Sequence, residues 1–183
     1  MSFNPTLKTD QSALLIIDVQ QALYERSVPI FNGDKLVSNI NQLVNNWNDS
    51  GSVIVYIRHN NKKMLVENTP GWQIHPNVLI VDQAIFIDKK HGNAFSNTDL
   101  DEKLRKNWVK TVVISGLVSH GCVQATCKGA LDLGFNVVLV GDGHSSYRGD
   151  AKELIDEWNK KLSELGVSVL STKQLSDSSK TAA

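Results

Sequence analysis

The chain has 183 residues, 41% of them hydrophobic, and its nineteen basic and nineteen acidic side chains leave no formal charge. That length suits one domain, residues 1–183, with a core over about 12–171 that needs neither disulfides nor structural metal. Neutrality gives no basic footprint of a nucleic-acid binder or of a protein held to an anionic membrane, and argues for a small-molecule or protein partner.

In chain order, the N-terminus MSFNPTLKTDQ lacks the apolar segment of a secretion signal, and no apolar run reaches membrane-spanning length. The expected setting is a soluble, cytoplasmic one. Residues 12–17 read as a strand buried on both faces, ending at Asp18. A helix follows over 34–48, capped by Asp34. Residues 53–57 form a second strand, 58–71 a long polar loop, 78–81 a short strand or turn, and 84–87 another strand. Thr98 resembles the N-cap of a helix running to 107. After the central stretch come a strand at 136–140, a polar loop at 142–149, a helix at 150–165 and a last strand at 167–170. Residues 176–183 read as a frayed tail. Trp47, Trp108 and Trp158 fall on helices as packing residues. The alternation of strand and helix implies a parallel sheet with helices on both faces.

The central stretch, 111–134, reads TVVISGLVSHGCVQATCKGALDLG. A β-branched run gives way to Ser115, Gly116, Ser119 and Gly121, residues that permit tight backbone. Helical spacing follows, with Val123, Cys127, Ala130 and Leu131 near one face. A helix beginning near Cys122 places that thiol in its first turn, where the dipole and free N–H groups favour a thiolate and can receive an oxyanion. On these residues alone, Cys122 is a nucleophile or a small buried hydrophobe; Cys127, inside the helix, is the latter. Their CVQATC spacing is neither a redox CxxC nor a zinc knuckle, and suits a reducing compartment.

Ligands of such sheets sit beyond the strands' carboxyl ends, where the strand order reverses. Three reactive side chains fall at predicted strand ends: Asp18, Lys89 and Cys122. Singly, an aspartate there is a turn former and a lysine a surface charge. Together they supply a base for the thiol, an ammonium to steady thiolate and carboxylate, and a nucleophile. That is the chemistry of acyl transfer to water through a thioester, with backbone N–H groups holding the oxyanion.

ALLIIDVQ at 13–20, GWQIHP at 71–76, the KxxxxAF element at 89–95 and GLVSHGCVQATCKGALDLGFNVVLVGDG at 116–143 resemble the isochorismatase-like cysteine hydrolases, over about residues 13–170. The resemblance implies a Rossmann-like α/β fold, a three-layer αβα sandwich on a six-stranded parallel sheet. It also implies an aspartate, lysine and cysteine triad at Asp18, Lys89 and Cys122. Lys89 is preferred to Lys90 because the family's lysine lies six positions before the phenylalanine, here Phe95. It further implies a cis peptide between Val118 and Ser119, an oxyanion hole from the amides of Ser119 and Cys122, and a homo-oligomer, dimer or tetramer.

Asn93 replaces the serine that many members carry before Ala94 and Phe95, which changes a polar contact near the pocket. Nicotinamidases hold a metal with an aspartate and histidines. Here His59 and His75 stand apart in the chain, and Asp142 and His144 follow a later strand, so neither metal nor cofactor is expected. Isochorismatases proper lack the cysteine, so Cys122 directs the reading to carbon–nitrogen bonds of a small amide or ureido compound. The alternatives are an isochorismatase-type hydrolase of another small molecule, a ligand-binding module, or a thiol redox sensor. Trp72 and His75 line the pocket or pack a loop, Phe95 is substrate wall or core, and Tyr24 reaches the mouth or joins the core. Val118 belongs to the nucleophile loop, and His120 points into the site or out to solvent.

Overall fold

Strand β1, Ser12–Ile17, is apolar after its first residue, and all six of its residues are buried. Its side chains alternate between two cores, Leu14 and Ile16 facing one and Ala13, Leu15 and Ile17 the other, as the two-residue period of a strand dictates. The computed structural model describes residues 11–180. Five more strands complete the sheet: β2 Val53–His59, β3 Ile85–Lys89, β4 Thr111–Leu117, β5 Asn136–Ser145 and β6 Ser168–Leu170. The order is β3-β2-β1-β4-β5-β6, and every neighbouring pair is parallel.

After the short helix α1, Gln21–Tyr24, helix α2, Gly33–Asp49, covers one face with Leu36, Val37, Ile40, Leu43, Val44 and Trp47. Those positions recur at the spacing of a single apolar stripe. The opposite face carries Leu100 and Leu104 of α3, Leu100–Lys106, Cys127 and Ala130 of α4, Gln124–Asp132, and Leu162 of α5, Ala151–Glu164. These are the three expected layers.

Several local expectations are corrected. Residues 176–180 are not a frayed tail but continue α6, Thr172–Lys180, while 181–183 lie outside the described residues. Leu175 enters the core, and the Ser176 hydroxyl receives hydrogen bonds from Gln42 and Asn46 of α2. Polar composition misleads there because the helix docks along a polar rim. Residues 78–81 form no strand. β5 runs through to Ser145, because Gly116 and Leu117 of β4 pair with His144 and Ser145 beyond a register shift. The cap of α2 is Asn32 in a left-handed conformation, φ 49°, rather than Asp34. Trp108 follows the end of α3 at 81% exposure and packs nothing into the core, whereas Trp47 is buried.

Candidate active site

The strand order reverses at β1, which has β2 on one side and β4 on the other. Asp18 follows β1 there. Its amide donates to Ile57 O at 2.9 Å, prolonging the ladder, while its φ of 50° is a left-handed value uncommon for an aspartate. Strain of that kind gathers at functional positions, where surrounding structure enforces it. Gln20 supplies part of the enforcement: fully buried, it donates to the carbonyls of His59 and Trp72 and accepts from the His59 amide. It thereby fastens the end of β2 to the turn at Pro70–Trp72.

Lys89 is the last residue of β3. Its Nζ lies 2.8 Å from Asp18 Oδ2, 3.2 Å from His59 Nδ1 and 3.2 Å from the carbonyl of His91. The pair is almost wholly desolvated, with side-chain exposures of 0% for Lys89 and 4% for Asp18. The pairs on α3, Asp101 with Arg105 and Glu102 with Lys106, lie open to water, where each is worth a few tenths of a kcal/mol. A buried pair is costly to desolvate and adds little net stability, so this one is better explained by chemistry than by folding.

The third side chain arrives from β4. Gly116 has φ 122°, and a Cβ there would lie 2.1 Å from Ile17 O, so only glycine lets β4 pass β1 at this point. The cis peptide lies one position before the expected bond, between Leu117 and Val118. The chain then makes an irregular turn over Ser119–Val123, in which Gly121 is non-helical and donates to Val118 O, before α4 begins at Gln124. Cys122 therefore sits in the turn rather than in the first turn of a regular helix. A donor atom from each of Asp18, His59 and Cys122 falls within 4.8 Å of the others. Burial pushes the Cys122 thiol up to about 12, with the Asp18 charge adding and Lys89 opposing. The resting sulfur is thus a thiol, not the thiolate that a helix N-terminus suggests. Asp18 Oδ1, buried and with no partner of its own, is the atom with an unused lone pair to accept its proton.

Ser119 is fully buried and does not face the cavity; its hydroxyl lies 2.8 Å from His144 Nδ1. Asn159 fixes the roles in this contact. Its amide nitrogen donates to Gly141 O, so its oxygen accepts from His144 Nε2. His144 Nδ1 is left to accept from Ser119. Burial lowers the pKa of His144, with Asn159 and Asp142 acting the other way, in keeping with a neutral ring. This chain of contacts ties the turn that carries Cys122 to β5 and α5. Val118, the residue before Ser119, lines the cavity with Cys122.

That cavity has a volume of about 150 Å³, with Asp18, His59 and Cys122 on its polar side and Leu23, Leu65, Leu117 and Tyr147 on its apolar side. Of the other candidates, Tyr24, Trp72, His75, Phe95 and His120 do not line it. Tyr24 packs at a tilt against His75, with ring centroids 4.3 Å apart. Trp72 is buried beneath the Arg58 guanidinium, and Phe95 packs on Phe135. His120 meets Ser146 and the edge of Tyr147. Asn93 lies against Gly129 of α4 and accepts from the Phe95 amide, shaping the KxxxxAF turn. Five cavity residues escape the sequence reading as site residues: Leu23, His59, Leu65, Leu117 and Tyr147. His59 was within reach of the strand-end rule, because β2 extends two residues beyond its apolar run.

Asp18, His59 and Cys122 are spaced as metal ligands could be. Lys89 Nζ, already a cation, bonds both Asp18 and His59. A metal ion bound between those two would have to displace it, so the residues present suit the ammonium better than a metal.

Over residues 12–174 the chain matches the family model of the isochorismatase domain. It is 30% identical over 141 residues to the isochorismatase family protein YrdC of Bacillus subtilis, covering 75% of each chain. It is 28% identical over 137 residues to the streptothricin hydrolase of Streptomyces noursei, covering 74% of this chain and 54% of that protein. The structure of a pyrazinamidase of Pyrococcus horikoshii in complex with zinc aligns with a TM-score of 0.79 at 26% identity, over 88% of this chain and 99% of that one.

Proposed function

The chain belongs to the isochorismatase family, and on that premise we propose that it is a cysteine hydrolase that cleaves the carbon–nitrogen bond of a small amide or ureido compound. The observation that carries this reading is the desolvated Asp18–Lys89 pair beside the Cys122 thiol. Similarity to a streptothricin hydrolase and a pyrazinamidase supports it.

Asp18 Oδ1 removes the thiol proton as Cys122 Sγ attacks the carbonyl carbon. A base in contact is needed because the thiol holds its proton at neutral pH. Lys89, paired with the carboxylate, offsets the negative charge passing between oxygen and sulfur. The tetrahedral oxyanion is held by amides of the turn, those of Val118 and Cys122. Asp18 returns its proton to the leaving nitrogen, ammonia or an amine departs, and a thioester remains on Cys122. Water, deprotonated by Asp18, cleaves the thioester to release the acid and restore the thiol. His59, which burial and Lys89 hold below the usual imidazole pKa, fixes the ammonium without adding a second charge.

A redox-sensing role is favoured by an exposed thiol of low pKa, whereas Cys122 is only partly exposed and burial raises its pKa. Cys122→Ala should abolish turnover across a panel of small amides, ureas and carbamates, and a slow substrate should leave its acyl group on Cys122 in a mass spectrum. Unchanged hydrolysis, or an adduct confined to Cys127, would contradict the mechanism.

A further inference from the structure

The chain contains four arginines, and three have carboxylate partners: Arg58 with Asp88, Arg105 with Asp101 and Arg148 with Asp150. Arg26, which follows α1, has none among the described residues. Its guanidinium lies 4.0 Å from the centroid of the Tyr147 ring, and one terminal nitrogen reaches the Met64 sulfur at 3.6 Å. Both contacts lead to the cavity, because Tyr147 lines it and Met64 adjoins Leu65, which also lines it. Leu23, one turn before Arg26, completes that side. The cation therefore lies just behind the apolar residues of the cavity wall, against Tyr147 and beside Leu65.

Arg26 Nε is buried with no hydrogen-bond partner, an unfavourable state for a donor that can be relieved by a ligand. The ring face of Tyr147 orients the guanidinium without using its N–H groups, and the Met64 sulfur takes up only one terminal nitrogen, so the fork formed by Nε and the other terminal nitrogen is left without a partner among the described residues. Such a fork matches a carboxylate in two-pronged geometry. The cavity's own acid, Asp18, is already neutralised by Lys89. At about 150 Å³, the space of about five water molecules, the cavity holds an amide head group while the rest of a substrate passes Tyr147 towards the mouth.

We propose that Arg26 binds the carboxylate of an anionic amide or ureido acid and so selects the end of the substrate opposite the scissile bond. This rests on the hydrolase reading of the same cavity. The test separates the two by measuring binding apart from turnover. Malonamate, succinamate and glutaramate are compared with malonamide, succinamide and glutaramide, each pair differing chiefly in the charge at the far end. Calorimetry on Cys122→Ala protein should find at least one acid bound at least about tenfold more tightly than its diamide. Adding Arg26→Met should bring that ratio close to one, and Arg26→Lys should keep part of it.

Ratios near one for all three pairs overturn the proposal, as does a preference that survives Arg26→Met. Equal weakening of acid and diamide also overturns it, since it would make Arg26 only a clamp on Tyr147. If the native protein hydrolyses none of the six compounds while the binding preference holds and depends on Arg26, the anion site stands and the hydrolase reading fails. Hydrolysis of acids and diamides at equal kcat/KM, with no binding preference, sinks the anion site alone.

Discussion

The two sides of the switch point are built differently. On the β1–β2–β3 side, Asp18, His59 and Lys89 are held at or next to strand ends, and ladder hydrogen bonds set their spacing. On the β4 side, Cys122, the proposed nucleophile, rides on an irregular turn that follows a cis bond, and Ser119, His144 and Asn159 hold that turn. Charge is fixed on the regular side, where reorganisation is least, and the reacting atom is placed on a short turn that side chains position. Electrostatic stabilisation is most effective when its dipoles and charges need not move.

The largest effects should come from breaking the regular side. Asp18→Asn removes the base and should lower kcat by about 10²- to 10⁴-fold; because it leaves the buried Lys89 ammonium without its counter-ion, it should also lower Tm. Lys89→Met leaves the Asp18 charge buried and unpaired, which should cost about 3–5 kcal/mol and appear as a fall in Tm. The double variant Asp18→Asn, Lys89→Met should regain much of that stability and none of the activity. Full activity in it would show that the charged pair has no part in turnover.

The irregular side should break more gently. Ser119→Ala leaves the buried His144 Nδ1 without a donor, at a cost of about 1–3 kcal/mol. If the contact positions the turn, kcat should fall while KM holds, and Ser119→Thr should restore both stability and kcat. A stability loss with unchanged kcat would reduce the Ser119–His144 contact to packing.

What was legible in the sequence follows the same division. Asp18 and Lys89 were found because a strand end has a fixed place in a parallel sheet, and β-branched runs mark where strands lie. The turn at residues 117–122 offered no such period. Its cis bond and its helix start each came out displaced by a residue or two, because long-range contacts shape the turn: Gly116 against Ile17 and Ser119 against His144. The cavity's apolar wall was harder still. Leu23, Leu65 and Tyr147 come from three loops and helix ends that meet only when folded. The loop carrying Leu65 is itself shaped by Asn61, whose side-chain oxygen accepts from the amides of Lys63, Met64 and Leu65.

Acid should strain both sides together. Burial lowers the pKa values of His59, His75, His120 and His144, so the folded chain binds fewer protons than the unfolded one below an unfolded value of about 6.5. Stability should then be held above that pH and lost as pH falls from it through the lowered folded values. Thermal melts should give a lower Tm at about pH 5.5 than at about pH 7.5. His144→Gln, which can keep a bond to Ser119 while removing the most buried of these rings, should flatten that slope. An unchanged slope would locate the proton uptake elsewhere.

The smallest effect is the one that best separates sequence expectation from structure. Tyr24 was a candidate for the pocket mouth, yet it packs on His75 and beside Gly33, and Tyr147 occupies the cavity wall instead. The Tyr24 hydroxyl is buried with no partner, and burial holds its pKa well above the ordinary tyrosine value. Tyr24→Phe removes a polar atom that has nothing to bond and keeps the ring that packs. Stability should stay level or rise by up to about 1 kcal/mol, with kcat/KM within about twofold, since 0.4 kcal/mol is a factor of two. Tyr147→Ala should instead raise KM, because it strips the wall and the ring beneath Arg26. Should Tyr24→Phe raise KM as much as Tyr147→Ala does, the substrate must reach past the wall to α1.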